Sequence, residues 1–124
     1  MTALSTDIEQ INLVVRQYVE GMVFADEALL RHAFHPDCRI IGHYHKELEW
    51  SSLDDFIGAI NAESSAVKKD VQPFWRVIDF DITGDAAAVK VIDDFAGMRF
   101  TDYLSLLKVN DRWVIINKLY YYQE

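Results

Sequence analysis

Cysteine is all but missing: Cys38 stands alone among 124 residues. A lone cysteine excludes an internal disulfide and suits a reducing compartment, so a cytoplasmic location is expected. Long apolar runs are also lacking, and none approaches the roughly 20 residues that span a bilayer. The start, MTALSTDIEQ, has no basic, apolar signal pattern. Basic residues are in the minority, 12 against 20 acidic, giving a net charge of −8 at pH 7 and an isoelectric point near 4.8. That balance argues against nucleic acid and anionic membranes as partners. Glycine-rich phosphate loops, GxSxG elbows and CxxC pairs do not occur, and there is no repeat or low-complexity tract. What remains is a chain that is 51% hydrophobic and 26% charged, the composition of one globular domain (residues 1–124) with one core.

The second half, Val71 to Gln123, reads as a meander of four strands: QPFWRVIDFDIT, AAAVKVIDDF, MRFTDYLSLLKV and RWVIINKLYYY. Short breaks at Gly84-Asp85, Ala96-Gly97 and Asn110-Asp111 separate them, and β-branched and aromatic residues alternate with polar ones throughout. Two-residue loops at these breaks allow partners to be counted outward. The first count pairs Phe80 with Val89, Ile78 with Val91 and Arg76 with Asp93. The second pairs Asp93 with Phe100, Val91 with Asp102 and Val89 with Leu104. The third pairs Leu106 with Ile115, Leu104 with Asn117 and Asp102 with Leu119. Together they predict an apolar inner face of Ile78, Phe80, Val89, Val91, Leu104, Leu106, Ile115 and Leu119. Arg76, Asp93, Asp102 and Asn117 fall on that same face. The other face is predicted to carry Asp79, Asp81, Lys90, Asp94, Arg99, Tyr103 and Lys118, with Asp94 opposite Arg99.

The first half predicts helices. Thr6-Asp7-Ile8-Glu9 has the form of a capping box, and Ile8, Ile11, Val15, Tyr18 and Met22 make one apolar stripe to about Phe24. Asp26 is placed to cap a second helix that ends before Pro36. CRIIGHY and KELEW read as two short strands, Ser52 with Asp55 opens a third helix along Leu53, Phe56, Ile57 and Ile60, and SSAVKKD is a polar loop. The fold class expected is α+β, with three helices covering one face of a strongly curved sheet.

Charges among aliphatic side chains must be paired or wet, so Arg76, Asp93, Asp102 and Asn117 predict a cavity with a polar floor. Tyr18, Trp50, Phe56 and Phe100 are the aromatics expected around it. Adjacent carboxylates raise one proton affinity, which supplies a general acid; the other reading of Arg76, Asp93 and Asp102 is a structural ion pair. Tyr18 likewise needs either a buried partner or a wet cavity. His43 and His45 share one strand face, and His32 and His35 stand three apart on a helix, but nothing in the spacing brings the pairs together. No metal and no cofactor is expected. Cys38 beside Arg39 reads as packing rather than as a nucleophile.

RQYVEGM, AFHPDCRIIG and above all RFTDYLSLLKVNDRWVIINK resemble the NTF2-like superfamily of cone-shaped α+β proteins. Within it they resemble the SnoaL-like group whose members carry the label lumazine-binding. The resemblance covers essentially the whole chain and implies helices closing a curved sheet into a cone with one mouth. It also implies a homodimer through the outer sheet face, with Tyr103 and Tyr120 as interface candidates. From the steroid-isomerase branch, Tyr18 and Asp102 match the two oxyanion-hole residues, while that branch's base falls at Gly42. The resemblance therefore implies a small-molecule pocket, with acid–base chemistry by Asp102 and Tyr18 as the alternative.

Overall fold

The computed structural model describes the backbone of residues 3–63 and 72–123, with side chains from Thr6 onward. The predicted loop SSAVKKD lies outside the described residues. In chain order the elements are α1 (Ala3–Val23), α2 (Glu27–Ala33), β1 (Phe34–Tyr44), β2 (Glu47–Ser51), α3 (Leu53–Ala62), β3 (Trp75–Thr83), β4 (Ala86–Phe95), β5 (Met98–Val109) and β6 (Arg112–Gln123). The strands form one open, mixed sheet in the order β2-β1-β6-β5-β4-β3, parallel only between β1 and β6. Three helices cover its inner face, the α+β cone expected from the sequence.

Helix α1 buries Ile11, Val15, Tyr18 and Met22 as its periodicity predicts, and Val14 and Val19 with them. Its N-terminus lies before Thr6, which is therefore inside the helix and not its cap. Asp7 instead turns inward, where Trp113 Nε1 donates to Oδ1 at 3.0 Å and Lys108 Nζ approaches to 2.8 Å, tying α1 to β5 and β6. Asp26 and Ser52 cap α2 and α3 as read, accepting from Leu29 N and Asp55 N.

Four two-residue turns join the hairpins. In the His45-Lys46, Ala96-Gly97 and Asn110-Asp111 turns both central residues have positive φ, the backbone that matches strand twist. Every pair counted across β4 and β5 is present, from Phe95 with Met98 to Val89 with Leu104.

The other two counts fail part-way along, each at one extra residue. The pairing of β3 with β4 shifts between Val77 and Asp79, leaving Ile78 as a bulge. Beyond it Trp75, not Arg76, faces Asp93; Arg76 faces Ile92 and is exposed, as is Ile78. The pairing of β5 with β6 shifts between Ser105 and Leu106, leaving Ile116 as the extra residue. Leu104 therefore faces Lys118 rather than Asn117, and Asp102 faces Tyr120 rather than Leu119. Because strand side chains alternate, one bulge exchanges the two faces for the rest of the strand. Asn117 leaves the inner face and Leu119 is exposed, while Lys118, Tyr120 and Tyr122 turn inward and are buried. Tyr120 is thus no candidate for an outer-face interface, whereas Tyr103 is exposed there.

Candidate functional site

A cavity of about 400 Å³ opens between α3, the β1–β2 hairpin and the inner sheet face. Phe56, Ala59 and Ile60 of α3 form one wall, Tyr44 and Phe100 supply aromatic surface, and Lys118 and Tyr120 contribute from β6. Of the residues singled out from sequence, Phe56, Phe100 and Trp50 line it. Trp50 stands at the rim with 65% of its surface exposed. Arg76 and Asn117 do not line it, for the bulges turn them away.

Lys118 is the charged group that the bulge at Ile116 brings inside, and it is only 3% exposed. Its Nζ lies 4.8 Å from the ring centroid of Phe56, 5.0 Å from Tyr18, 5.1 Å from Tyr120 and 5.9 Å from Phe100. Aromatic faces attract a cation at these distances and offset part of its desolvation. Among the described residues its hydrogen-bonding contact is Met22 Sδ at 4.0 Å, and no carboxylate forms an ion pair with it.

Tyr18, Asp93 and Asp102 are fully buried and sit off the cavity wall, on the Lys118 side. Tyr18 Oη donates to Asp102 Oδ2 at 2.7 Å, so the two residues paired by resemblance do meet. Burial first, then the charges of Asp102 and Asp93, holds the Tyr18 hydroxyl well above its ordinary value, so it stays a donor. As a bare carboxylate Asp93 has no donor to either oxygen among the described residues, and Asp102 Oδ1 has none either. Burial, followed by the charge of Asp102 and a hydrogen bond shared with it, raises the Asp93 carboxyl well above the usual range. A proton on Asp93 turns two repelling acids into a hydrogen-bonded pair.

Among the described residues Glu47, Glu49 and Glu63 line the cavity, and Glu49 is the one whose carboxylate is held by hydrogen bonds; the sequence reading missed it inside a short strand of uncounted register. It faces Gly42 directly across the β1–β2 ladder. Tyr120 Oη donates to Glu49 Oε1 at 2.5 Å and Ser51 Oγ to Oε2 at 2.8 Å. Gly42 is required by packing: a Cβ there would come within 2.7 Å of the Tyr120 carbonyl oxygen and 2.8 Å of its ring. The position to which the resemblance assigned the isomerase base is therefore filled by Tyr120. Cys38 is buried, which pushes its thiol up to about 11 and keeps it protonated at neutral pH. Among the described residues no three His, Cys, Asp or Glu side chains converge on a metal position, and His43 and His45 are exposed.

The family described as "Putative lumazine-binding" matches residues 6–121 of the chain. The chain belongs to that family. This lumazine-binding family member is 34% identical to an NTF2-like protein of unknown function from Silicibacter pomeroyi DSS-3, with a TM-score of 0.91 over 99% of this chain and 100% of that one. An NTF2-like protein of unknown function from Shewanella baltica OS155 is 26% identical, with a TM-score of 0.86 over 100% and 99%. A protein called a "putative ketosteroid isomerase", from Shewanella frigidimarina NCIMB 400, is 20% identical with a TM-score of 0.66 over 90% and 94%, a likeness of fold alone. No curated protein matches the chain.

Proposed function

We propose that this family member binds a small, partly apolar aromatic molecule, polycyclic or heteroaromatic, inside its cone. The observation that carries this reading is the cavity of about 400 Å³ walled by Phe56, Phe100 and Tyr44 and carrying a few polar groups. A mostly apolar hollow of that size with sparse, placed polar atoms is the common form of a small-ligand site. The family's lumazine-binding description agrees with a heteroaromatic ligand. Ala59 offers the test, because it lines the cavity yet is exposed, so Ala59→Trp fills the space without disturbing the core. Lumazine and related heterocycles should raise the melting temperature of the parent saturably and leave Ala59→Trp unmoved. A parent that responds to none of them overturns the reading.

The second reading is an acid–base lyase or isomerase in which Asp102 and Tyr18 stabilise an enolate, favoured by their 2.7 Å hydrogen bond. On that reading Asp102→Asn abolishes turnover of a ketone substrate while the fold survives. Arg76 and Asn117 have no part in either reading. We further propose a cytoplasmic homodimer that pairs outer sheet faces through exposed Tyr103, Leu119 and Tyr121. Light scattering of Leu119→Asp tests it, and an unchanged dimer mass counts against that face. No helix among the described residues is long and apolar enough to cross a membrane.

A further inference from the structure

We propose that Lys118 is the polar anchor of the cavity, and that it selects uncharged aromatic carbonyl compounds by donating to the carbonyl oxygen. This inference rests on the reading of the cavity as a ligand site and goes beyond it in naming the ligand's chemistry. An ammonium has three N–H donors. The rings of Tyr18, Phe56, Phe100 and Tyr120 stabilise its charge but accept hydrogen bonds poorly, and a thioether sulfur 4.0 Å away is a weak acceptor. A buried lysine kept for structure is ordinarily paired with a carboxylate. Here the charge of Lys118 reaches Asp93, but no carboxylate among the described residues forms an ion pair with it: Asp102 accepts from Tyr18, and Glu49 from Tyr120 and Ser51. Lys118 therefore reaches the cavity with donors unclaimed among the described residues, and an oxygen arriving there gains a charge-assisted hydrogen bond in an apolar surrounding.

The surrounding charges decide between a carbonyl and a carboxylate. Glu47, Glu49 and Glu63 line the way in, and Asp93 and Asp102 lie on the Lys118 side. An anion would pass three acidic side chains to meet one cation, whereas a neutral carbonyl meets the ammonium with no such opposition. The aromatic walls fix the remainder of the ligand as a flat apolar body.

Three matched probes test this: 1-acetylnaphthalene, 1-ethylnaphthalene, which lacks the oxygen, and 1-naphthoate, which carries a full charge. Binding would be measured by calorimetry to the parent protein and to Lys118→Met, which keeps the side chain's length without its donors. The ketone should bind the parent about tenfold or more tighter than the ethyl compound, the size expected of a hydrogen bond from a charged donor. Naphthoate should bind more weakly than the ketone, and Lys118→Met should bind ketone and ethyl compound alike. The carbonyl stretch of the bound ketone, read in the parent by infrared difference spectroscopy, should move to lower frequency, and this readout needs no variant. Equal affinity for ketone and ethyl compound, a tighter naphthoate, an unshifted stretch or a ketone preference that survives in Lys118→Met each overturns the anchor and leaves the cavity reading standing. Failure of all three probes to bind the parent sinks the cavity reading and the anchor together.

Discussion

The cone holds carboxylates in two places, and they are treated oppositely. Glu49, at the cavity wall, receives two hydroxyl donors, from Tyr120 and Ser51. Asp93 and Asp102, deep in the fold, receive one hydroxyl donor, Tyr18 to Asp102, and their other three oxygens, as carboxylates, have none among the described residues. Ordinary folding would exclude such a pair, because burying charge without partners is strongly unfavourable. A proton on Asp93 relieves that cost, in keeping with the direction in which burial and the charge of Asp102 move its carboxyl. The outer site lies at the cavity wall with both oxygens hydrogen-bonded. Lys118, between them, is the one buried cation among the described residues.

The largest expected effect comes from forcing the two sites into one. Gly42→Asp would place a carboxylate beside Glu49, but its Cβ meets the carbonyl oxygen of Tyr120, which trimming the Tyr120 ring cannot relieve. A loss of about 3 kcal/mol or more, the upper range for overpacking, is expected in urea unfolding. A variant as stable as the parent would mean that β1 and β6 are not packed this closely.

Next in size is the contrast between the two tyrosines. Tyr18→Phe removes the hydroxyl donor to a fully buried acid and should destabilise by about 1–3 kcal/mol. Tyr120→Phe removes one of two donors from a half-exposed acid and should lose about 1 kcal/mol or less. Equal losses would erase the distinction between the sites.

The pH dependence separates Asp93 from Asp7, whose carboxyl is held low by hydrogen bonds from Lys108 and Trp113. A raised folded value favours the protonated form. The stability it contributes is thus complete below the ordinary value near 3.8 and is lost as pH rises toward the folded value. Asp93→Asn should flatten that alkaline decline. For Asp7 the sign is reversed: its contribution is present above 3.8 and lost as pH falls through the lowered value, so Asp7→Asn should flatten the acid side. Melting temperatures measured across pH distinguish the slopes, and a parallel shift of the whole curve by Asp93→Asn would contradict the assignment. The smallest effect is expected at the exposed Asp94–Arg99 pair, where Asp94→Ala should leave the urea midpoint within experimental scatter.

Much of the fold was legible because local signals agreed with tertiary ones. The turn residues at 84–85, 96–97 and 110–111 marked the strands, and the β4–β5 register followed from counting alone. Asp26 and Ser52 capped the helices they were read to cap. The site was less legible, because a bulge is settled by sheet twist and packing that no turn encodes. A trace of each was present in Val77-Ile78 and Val114-Ile115-Ile116, apolar neighbours where strict alternation should have put a polar residue. Reading Leu119 as inward hid that break and sent Lys118 to the wrong face. The β1–β2 turn was obscure for another reason: His45 and Lys46 adopt left-handed backbone without the glycine or asparagine that usually announces it. With its register uncounted, Glu49 had no place in the cavity.

Ile116 carries a consequence for how such a pocket changes over generations. Deleting that one residue would leave Ser105 opposite Asn117 and Leu104 opposite Lys118 as they are, straighten β6, and keep Lys118, Tyr120 and Tyr122 beneath the helices. The lining of ammonium and phenols would thus survive a single indel, the extra residue being absorbed where it arises. Among homologues a gap at this column should leave the cavity wall intact, whereas exchanges at Lys118 and Tyr120 should alter it.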